Sequence, residues 1–230
     1  MIRVAIADDE PMLRDSFRML VDSDPDCTVV GEAADGAAVV RLARLERPDV
    51  VLMDVRMPHA DGIAATRLIT GDPATADVRI LILTMFDLDP YVYSALRAGA
   101  SGFLLKDIAP ADLLKAVHVV AAGHALFAPS VTRRLIAQFS TAGTTPETDR
   151  LAVLTTRERE ILTLVANGLS NTQICDREYI GMATVKTHLN RILAKLDLRD
   201  RAQLVIVAYE SGLVSAGSSG EVSPHRRERP

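Results

Sequence analysis

Residues 49–62 read DVVLMDVRMPHADG, from Asp49 to Gly62. Val50, Val51, Leu52 and Met53 are apolar without alternation, the pattern of a strand buried on both faces of a parallel sheet. Asp54 follows at once, and Pro58 breaks the segment soon after. A carboxylate therefore stands at the carboxyl end of a central strand, where open α/β sheets place their ligands. Taken alone, Asp54 also reads as an acidic residue entering a turn. Three other strand-like runs shift that balance, because each ends in a polar residue that shares one chemistry with Asp54.

Upstream, Ile2, Val4, Ile6 and Ala7 predict a strand that closes on Asp8, Asp9 and Glu10. Pro11 suits a first helical position, and Leu13, Phe17, Leu20 and Val21 follow at helical spacing. A second strand is predicted over residues 28–33, then a helix from Gly36 to Glu46 that stops before Pro48. Downstream come a helix near residues 63–69 and a strand over 79–83 ending in Thr84. A helix over 91–97 leads to a strand over 102–105 ending in Lys106, and Pro110 opens a last helix closed by Gly123. Five strands alternating with five helices predict an α/β fold, a doubly wound five-stranded parallel sheet of flavodoxin-like type. Right-handed crossovers bring Asp9, Asp54, Thr84 and Lys106 to one edge of it.

Those residue types support phosphoryl transfer to a carboxylate. Asp54 serves as the nucleophile of an aspartyl phosphate. Asp8 and Asp9 supply hard oxygen ligands suited to Mg²⁺, which offsets repulsion between the carboxylate and the incoming phosphoryl group. Lys106 adds a cation at the phosphate and Thr84 a hydroxyl. An enzymatic alternative is a phosphatase of the haloacid-dehalogenase type, which needs an acid two residues after the nucleophile. Arg56 stands there, and a guanidinium cannot protonate a leaving group at neutral pH.

The chain of 230 residues favours two modest domains over one. Cys27 and Cys175 lie too far apart in sequence to suggest a disulfide framework or a zinc site. No apolar run approaches the ~18–20 residues of a membrane span, and a secretory leader is not evident. A soluble cytoplasmic protein with no membrane partner is the default. The net charge of −4 hides an asymmetry: residues 1–139 carry 14 Lys+Arg against 19 Asp+Glu, whereas residues 150–212 carry 9 against 7. An acidic front and a mildly basic back suggest separate tasks. Expected boundaries are a phosphoacceptor domain over 1–125, a connector over 126–150, a helical domain over 151–214 and a disordered tail over 215–230. Within the connector, Pro129–Phe139 reads as a helix and STAGTTPETDR as a flexible linker.

In the back half, Thr155-Thr156-Arg157-Glu158 and Ser170-Asn171-Thr172-Gln173 are two capping boxes, each opening a helix. A third helix, Met182–Leu196, buries Val185, Leu189, Ile192, Leu193 and Leu196. Its other face carries Thr184, Lys186, Thr187, His188, Asn190, Arg191 and Lys195 without an acid. Asp200 caps a fourth helix. The all-α four-helix pattern fits a helix-turn-helix unit, and it fits a small bundle with a solvated basic face equally well.

Detailed motifs separate these readings. IADDE, MDVRMPHADG, LTMFD and GFLLKD resemble the receiver domain of two-component response regulators over residues 1–123. LTTREREILTLVANGLSNTQI and ATVKTHLNRILAKLDLRDRAQ resemble the LuxR-type DNA-binding domain over residues 150–214, and the whole chain resembles the NarL/FixJ family. The resemblance implies phosphoacceptor Asp54, metal ligands Asp8, Asp9 and the backbone carbonyl of Arg56, and a switch of Thr84, Phe103 and Lys106. It also implies that Lys186, Thr187 and Asn190 face base edges, with Thr184, His188, Arg191 and Lys195 at phosphates. The partners implied are a sensor histidine kinase, double-stranded DNA and a second copy of the chain on phosphorylation. A regulator of the same architecture acting without phosphorylation is the alternative, and the intact Asp8/Asp9/Asp54/Thr84/Lys106 set argues against it.

Three positions depart from the family pattern. Asp107 follows Lys106 where receivers commonly carry a cis-Pro. Glu178 stands where an apolar core residue is usual, and Gly181 where a Ser or Thr caps the third helix. An unpaired carboxylate cannot be buried cheaply, so the second helix is expected to end early, turning Glu178 to solvent while Tyr179 or Ile180 fills the core. The other outcome is a partly buried Glu178 held by Arg177 or by an arginine of the first helix.

Overall fold

The computed structural model describes residues 1–58, 61–85, 94–123, 126–127 and 148–214. In the front half the strands are β1 (Ile2–Ala7), β2 (Cys27–Ala33), β3 (Val50–Asp54), β4 (Arg79–Thr84) and β5 (Gly102–Leu105). The helices are α1 (Pro11–Asp22), α2 (Gly36–Glu46), α3 (Gly62–Thr70), α4 (residues 94–97) and α5 (Pro110–Ala121). A two-residue strand β6 (Leu126–Phe127) pairs in parallel with β5 and adds a sixth strand to the five predicted. The strands run in the order β2-β1-β3-β4-β5-β6, every neighbouring pair parallel.

Unbroken apolar strands follow from burial on both faces. Ala5, Ala7, Val51, Met53, Ile80, Ile82 and Phe103 point to one side, where α2, α3 and α4 cover them. Val4, Ile6, Leu52, Leu81, Leu83 and Leu104 alternate to the other, against Phe17 and Val21 of α1 and Leu113, Ala116, Val117 and Val120 of α5. Period-2 side-chain alternation with an apolar residue at every step leaves no solvent face. The Lys106–Asp107 peptide is trans.

The back half contains α6 (Thr156–Ala166), α7 (Asn171–Glu178), α8 (Met182–Leu196) and α9 (Arg201–Glu210), preceded by a 3₁₀ turn at Thr148–Leu151. Both predicted capping boxes are formed, and the Asp200 side chain accepts from the Ala202 and Gln203 N–H groups. Val185, Leu189, Ile192 and Leu196 of α8 are buried against Ile161, Leu162 and Val165 of α6 and Ile174 of α7, with Leu193 half-buried beside them. The predicted connecting helix over 129–139, most of the linker and the tail over 215–230 lie outside the described residues. Among the described residues, no helix is long and apolar enough to cross a membrane.

The two halves touch along the amino-terminal edge of the sheet. The Arg199 guanidinium donates to the backbone carbonyls of Ala76 and, at 2.8 Å, Val78. Gln203 Nε2 donates to the Leu96 carbonyl at 2.7 Å, and Arg97 of α4 pairs with Glu210 of α9 at 3.3 Å.

Candidate functional site

Parallel register brings Ala7 level with Met53 and Thr84 level with Leu105, so β1, β3, β4 and β5 release their chains at one edge. Asp8, Asp9, Asp54, Thr84 and Lys106 emerge there. Carboxylate oxygens of Asp8, Asp9 and Asp54 all lie within 4.8 Å of one another. Asp8 is buried, Asp9 exposed, and Asp54 7% exposed. Lys106, its side chain 4% exposed, places Nζ 2.5 Å from Asp8 Oδ2 and 3.3 Å from Asp54 Oδ1. Asp54 Oδ1 also accepts the Val55 N–H at 2.9 Å.

Burial pushes the Asp54 carboxyl above the ordinary carboxylate range; Lys106 pulls it back and Asp8 adds to the rise. A divalent cation held by this set would act in the same direction as Lys106. Three carboxylates supply the hard oxygen donors that Mg²⁺ takes alongside retained waters, so the residues present fit that ion. Asp9, Glu10, Asp54, Arg56, Thr84, Met85 and Lys106 line an open cleft of about 300 Å³ above the strands. Phe103 is fully buried in the sheet core.

Sequence reasoning missed four contributors to this site. Glu10 and Met85 line the cleft. Arg14, one turn into α1, donates to the Asp8 carbonyl at 2.6 Å and so fixes the β1 exit. Gly62 is the fourth: a Cβ there would sit 1.9 Å from the Asp54 carbonyl oxygen. That close approach of α3 to β3 explains why the DVVLMDVRMPHADG segment ends on glycine.

On α8, Thr184, Lys186, Thr187, Asn190, Arg191 and Lys195 are exposed on one side and His188 is half-buried. Lys195 has a second attachment, since its Nζ lies 2.7 Å from Oε2 of the buried Glu158. Lys186 and Asn190 share a cleft with Asn171 and Arg201, and across it stand Ala122 and Gly123 at the end of α5.

The expectation for Glu178 needs correction. Helix α7 runs through to Glu178, and its side chain, 21% exposed, meets Arg157 of α6 at 2.5 Å. Tyr179 takes a left-handed conformation as the C-cap and is 95% exposed, so it fills no core. The ion pair answers the desolvation problem that the expected early helix end was meant to avoid. Arg157 pairs with Glu160 as well, at 2.8 Å. At Gly181, the N-cap of α8, an added Cβ would meet nothing within 4 Å.

A carboxylate cleft at the carboxyl edge of a doubly wound sheet, joined to a capped helix-turn-helix unit, defines a receiver coupled to a DNA-binding module. The response regulator receiver domain family matches residues 4–118, and the luxR family of bacterial regulatory proteins matches residues 152–208. The chain is 42% identical over 214 residues to Uncharacterized transcriptional regulatory protein YxjL of Bacillus subtilis (strain 168), covering 93% of this chain and 97% of that one. It resembles the crystal structure of response regulator ChrA of a heme-sensing two-component system at 36% identity and TM-score 0.51, over 93% and 98% of the two chains. It also resembles a structure of two RcsB dimers bound to two parallel DNAs at 25% identity and TM-score 0.53, over 91% and 98%. The chain belongs to the NarL/FixJ family of response regulators. It is a two-component transcriptional regulator with a LuxR-type DNA-binding domain.

Proposed function

We propose that Asp54 is the phosphoacceptor and that a sensor histidine kinase is the donor, with Mg²⁺ held by Asp8, Asp9 and Asp54 and the Arg56 carbonyl. The observation that carries this reading is Lys106, whose ammonium bridges Asp8 and Asp54 inside the carboxylate cluster. The transfer breaks the donor's P–N bond and forms a P–O bond to Asp54. Val55 N–H and Lys106 both engage Oδ1, which makes Oδ2 the oxygen to carry the phosphoryl group. When bound, the cation supplies charge that draws the phosphoryl oxygens toward the anionic nucleophile. Lys106 leaves its bond with Asp8 to meet the phosphate, and the Thr84 hydroxyl turns toward it.

Thr84 is the last residue of β4, and α4 is the next helix among the described residues. The same α4 holds α9 through the Leu96 carbonyl and Arg97. A shift of Thr84 toward the phosphate therefore acts on the segment that docks the back half, with Phe103 of neighbouring β5 following. Undocking uncovers the side of α8 that faces Ala122 and Gly123 and frees Lys186 and Asn190 there, so that Lys186, Thr187 and Asn190 meet base edges and Thr184, His188, Arg191 and Lys195 meet phosphates. The free modules pair as a dimer on two half-sites about one helical turn apart, in the cytoplasm. The RcsB dimers on DNA support that assembly. The test is covalent: with Mg²⁺ and acetyl phosphate the protein should gain one acid-labile phosphoryl group. Asp54→Asn should not, and undiminished labelling of that variant would overturn the assignment.

A further inference from the structure

On the opposite side of the receiver from the Asp54 carboxylate cluster, a second group of ligand-type side chains converges, and the phosphoryl transfer proposed above uses none of them. Asp24 lies in the turn between α1 and β2, Cys27 is the first residue of β2, and His118 belongs to the last turn of α5. His118 Nε2 is 2.9 Å from Asp24 Oδ2 and 3.9 Å from Cys27 Sγ. One ligand atom from each residue lies within 4.8 Å of the other two. We propose that Asp24, Cys27 and His118 bind a borderline-soft divalent transition ion, with Zn²⁺ as the reference cation.

The geometry suits the ion. Zinc bonds of ~2.0–2.3 Å to N, O and S put neighbouring tetrahedral ligand atoms about 3.3–3.6 Å apart, and both measured separations fall within about 0.5 Å of that range. The turn is already fixed. Asp26 N–H bonds Asp24 Oδ1 at 2.9 Å, Cys27 N–H bonds the Asp24 carbonyl at 3.0 Å, and Ile2 N–H bonds the Asp26 carbonyl at 2.6 Å. Only Asp24 Oδ2 and His118 Nε2 must exchange their mutual bond for the ion. Cys27 is buried, whereas His118 and Asp24 are partly exposed, so the thiol forms the floor of a site open to solvent.

The charge pattern agrees. Asp24 sets a carboxylate oxygen within 4.8 Å of the Cys27 sulfur, and Asp26 adjoins Cys27 in the chain. Two carboxylates beside the thiol make a negative setting that a cation offsets. Binding releases the thiol proton to solvent and leaves the His118 ring proton on Nδ1, with water as the fourth ligand. Mg²⁺ does not compete, since a hard cation avoids thiolate and imidazole. The site would tie the α1–β2 turn to the end of α5, next to Ala122 and Gly123 of the interdomain cleft.

Co²⁺ tests this, because it reports thiolate ligation by a charge-transfer band that carboxylates alone do not give. Full-length Cys175→Ser protein, stripped of metal and held in excess Mg²⁺, should bind one Co²⁺ with that band, and Zn²⁺ should displace it. Adding Cys27→Ser should remove the band, and His118→Ala should weaken Co²⁺ binding roughly tenfold or more, the loss expected when metal-site partners are removed. Circular dichroism verifies the fold of each variant, and His118→Ala reads the site independently should Cys27→Ser not fold. Absence of the band in Cys175→Ser, its persistence without Cys27, or unchanged affinity without His118 would each overturn the proposal.

Discussion

Replacing Glu158 by Gln isolates one charge at the heart of the DNA-binding half. Glu158 is 3% exposed, and its Oε2 accepts from Lys195 Nζ at 2.7 Å and from the Thr155 N–H at 2.8 Å. The bond from Lys195, then that from Thr155, lowers its carboxyl pKa from 4.5 to about 2. A shift of that size corresponds to at most ~3.4 kcal/mol at neutral pH, at 1.36 kcal/mol per unit. Lys195 is 36% exposed, so water retains a share of its charge and about half of that figure, ~1.7 kcal/mol, is expected. Glutamine preserves the capping box, so the loss reports the ion pair. The folded-state pKa lies below the unfolded one. The stabilisation is therefore complete above pH of about 4.5 and lost as pH falls toward about 2. Urea unfolding of wild type and Glu158→Gln across that range should give a difference that is level near neutrality and shrinks in acid. A difference independent of pH, or below ~0.5 kcal/mol at neutrality, would refute the reasoning.

Gly62→Ala should cost on the order of 1–3 kcal/mol by overpacking and slow phosphorylation by acetyl phosphate, because relief of the contact displaces the Asp54 backbone; urea unfolding with a labelling time course checks both. Glu178→Ala should lose about 0.5–1 kcal/mol, the worth of a largely solvent-screened pair with Arg157, and Gly181→Ser should gain a few tenths of a kcal/mol by adding a cap; thermal melts of the two variants read these opposite signs. In binding titrations against specific and random DNA, Lys186→Ala should lose discrimination, whereas Arg191→Ala should weaken both and lower the salt slope by about 1.

Much of this architecture is legible in the sequence because burial leaves a strong imprint there. Val50–Met53 and Ile80–Leu83 are apolar at every step, which only a strand covered on both faces requires. The residues that end those strands then announce the cleft. The capping boxes at Thr155 and Ser170 are equally plain, being local contacts at fixed spacing. Contacts across the fold leave no such imprint. The Glu178–Arg157 pair joins residues 21 apart, and Lys195, which periodicity puts on a solvated basic face, is tied to Glu158, 37 residues earlier. Strand β6 has two residues, too few for any period to show. The docking of Arg199 on backbone carbonyls of Ala76 and Val78 carries no side-chain signal at the receiving end. The Asp24–Cys27–His118 group is hidden for the same reason, since α5 brings His118 to a turn 91 residues before it.

The central claim is that a phosphoryl group on Asp54 frees α8 for DNA. Its most direct test is the affinity of the full-length protein for its operator, measured with Mg²⁺ and with or without acetyl phosphate, beside Asp54→Asn. Wild type should bind at least about tenfold more tightly when phosphorylated, the smallest gain that a coupling of ~1.4 kcal/mol yields, and as a dimer. Asp54→Asn should stay at the weak unphosphorylated level in both conditions. Equal binding by wild type with and without the phosphodonor, while Asp54 is demonstrably labelled, would contradict it.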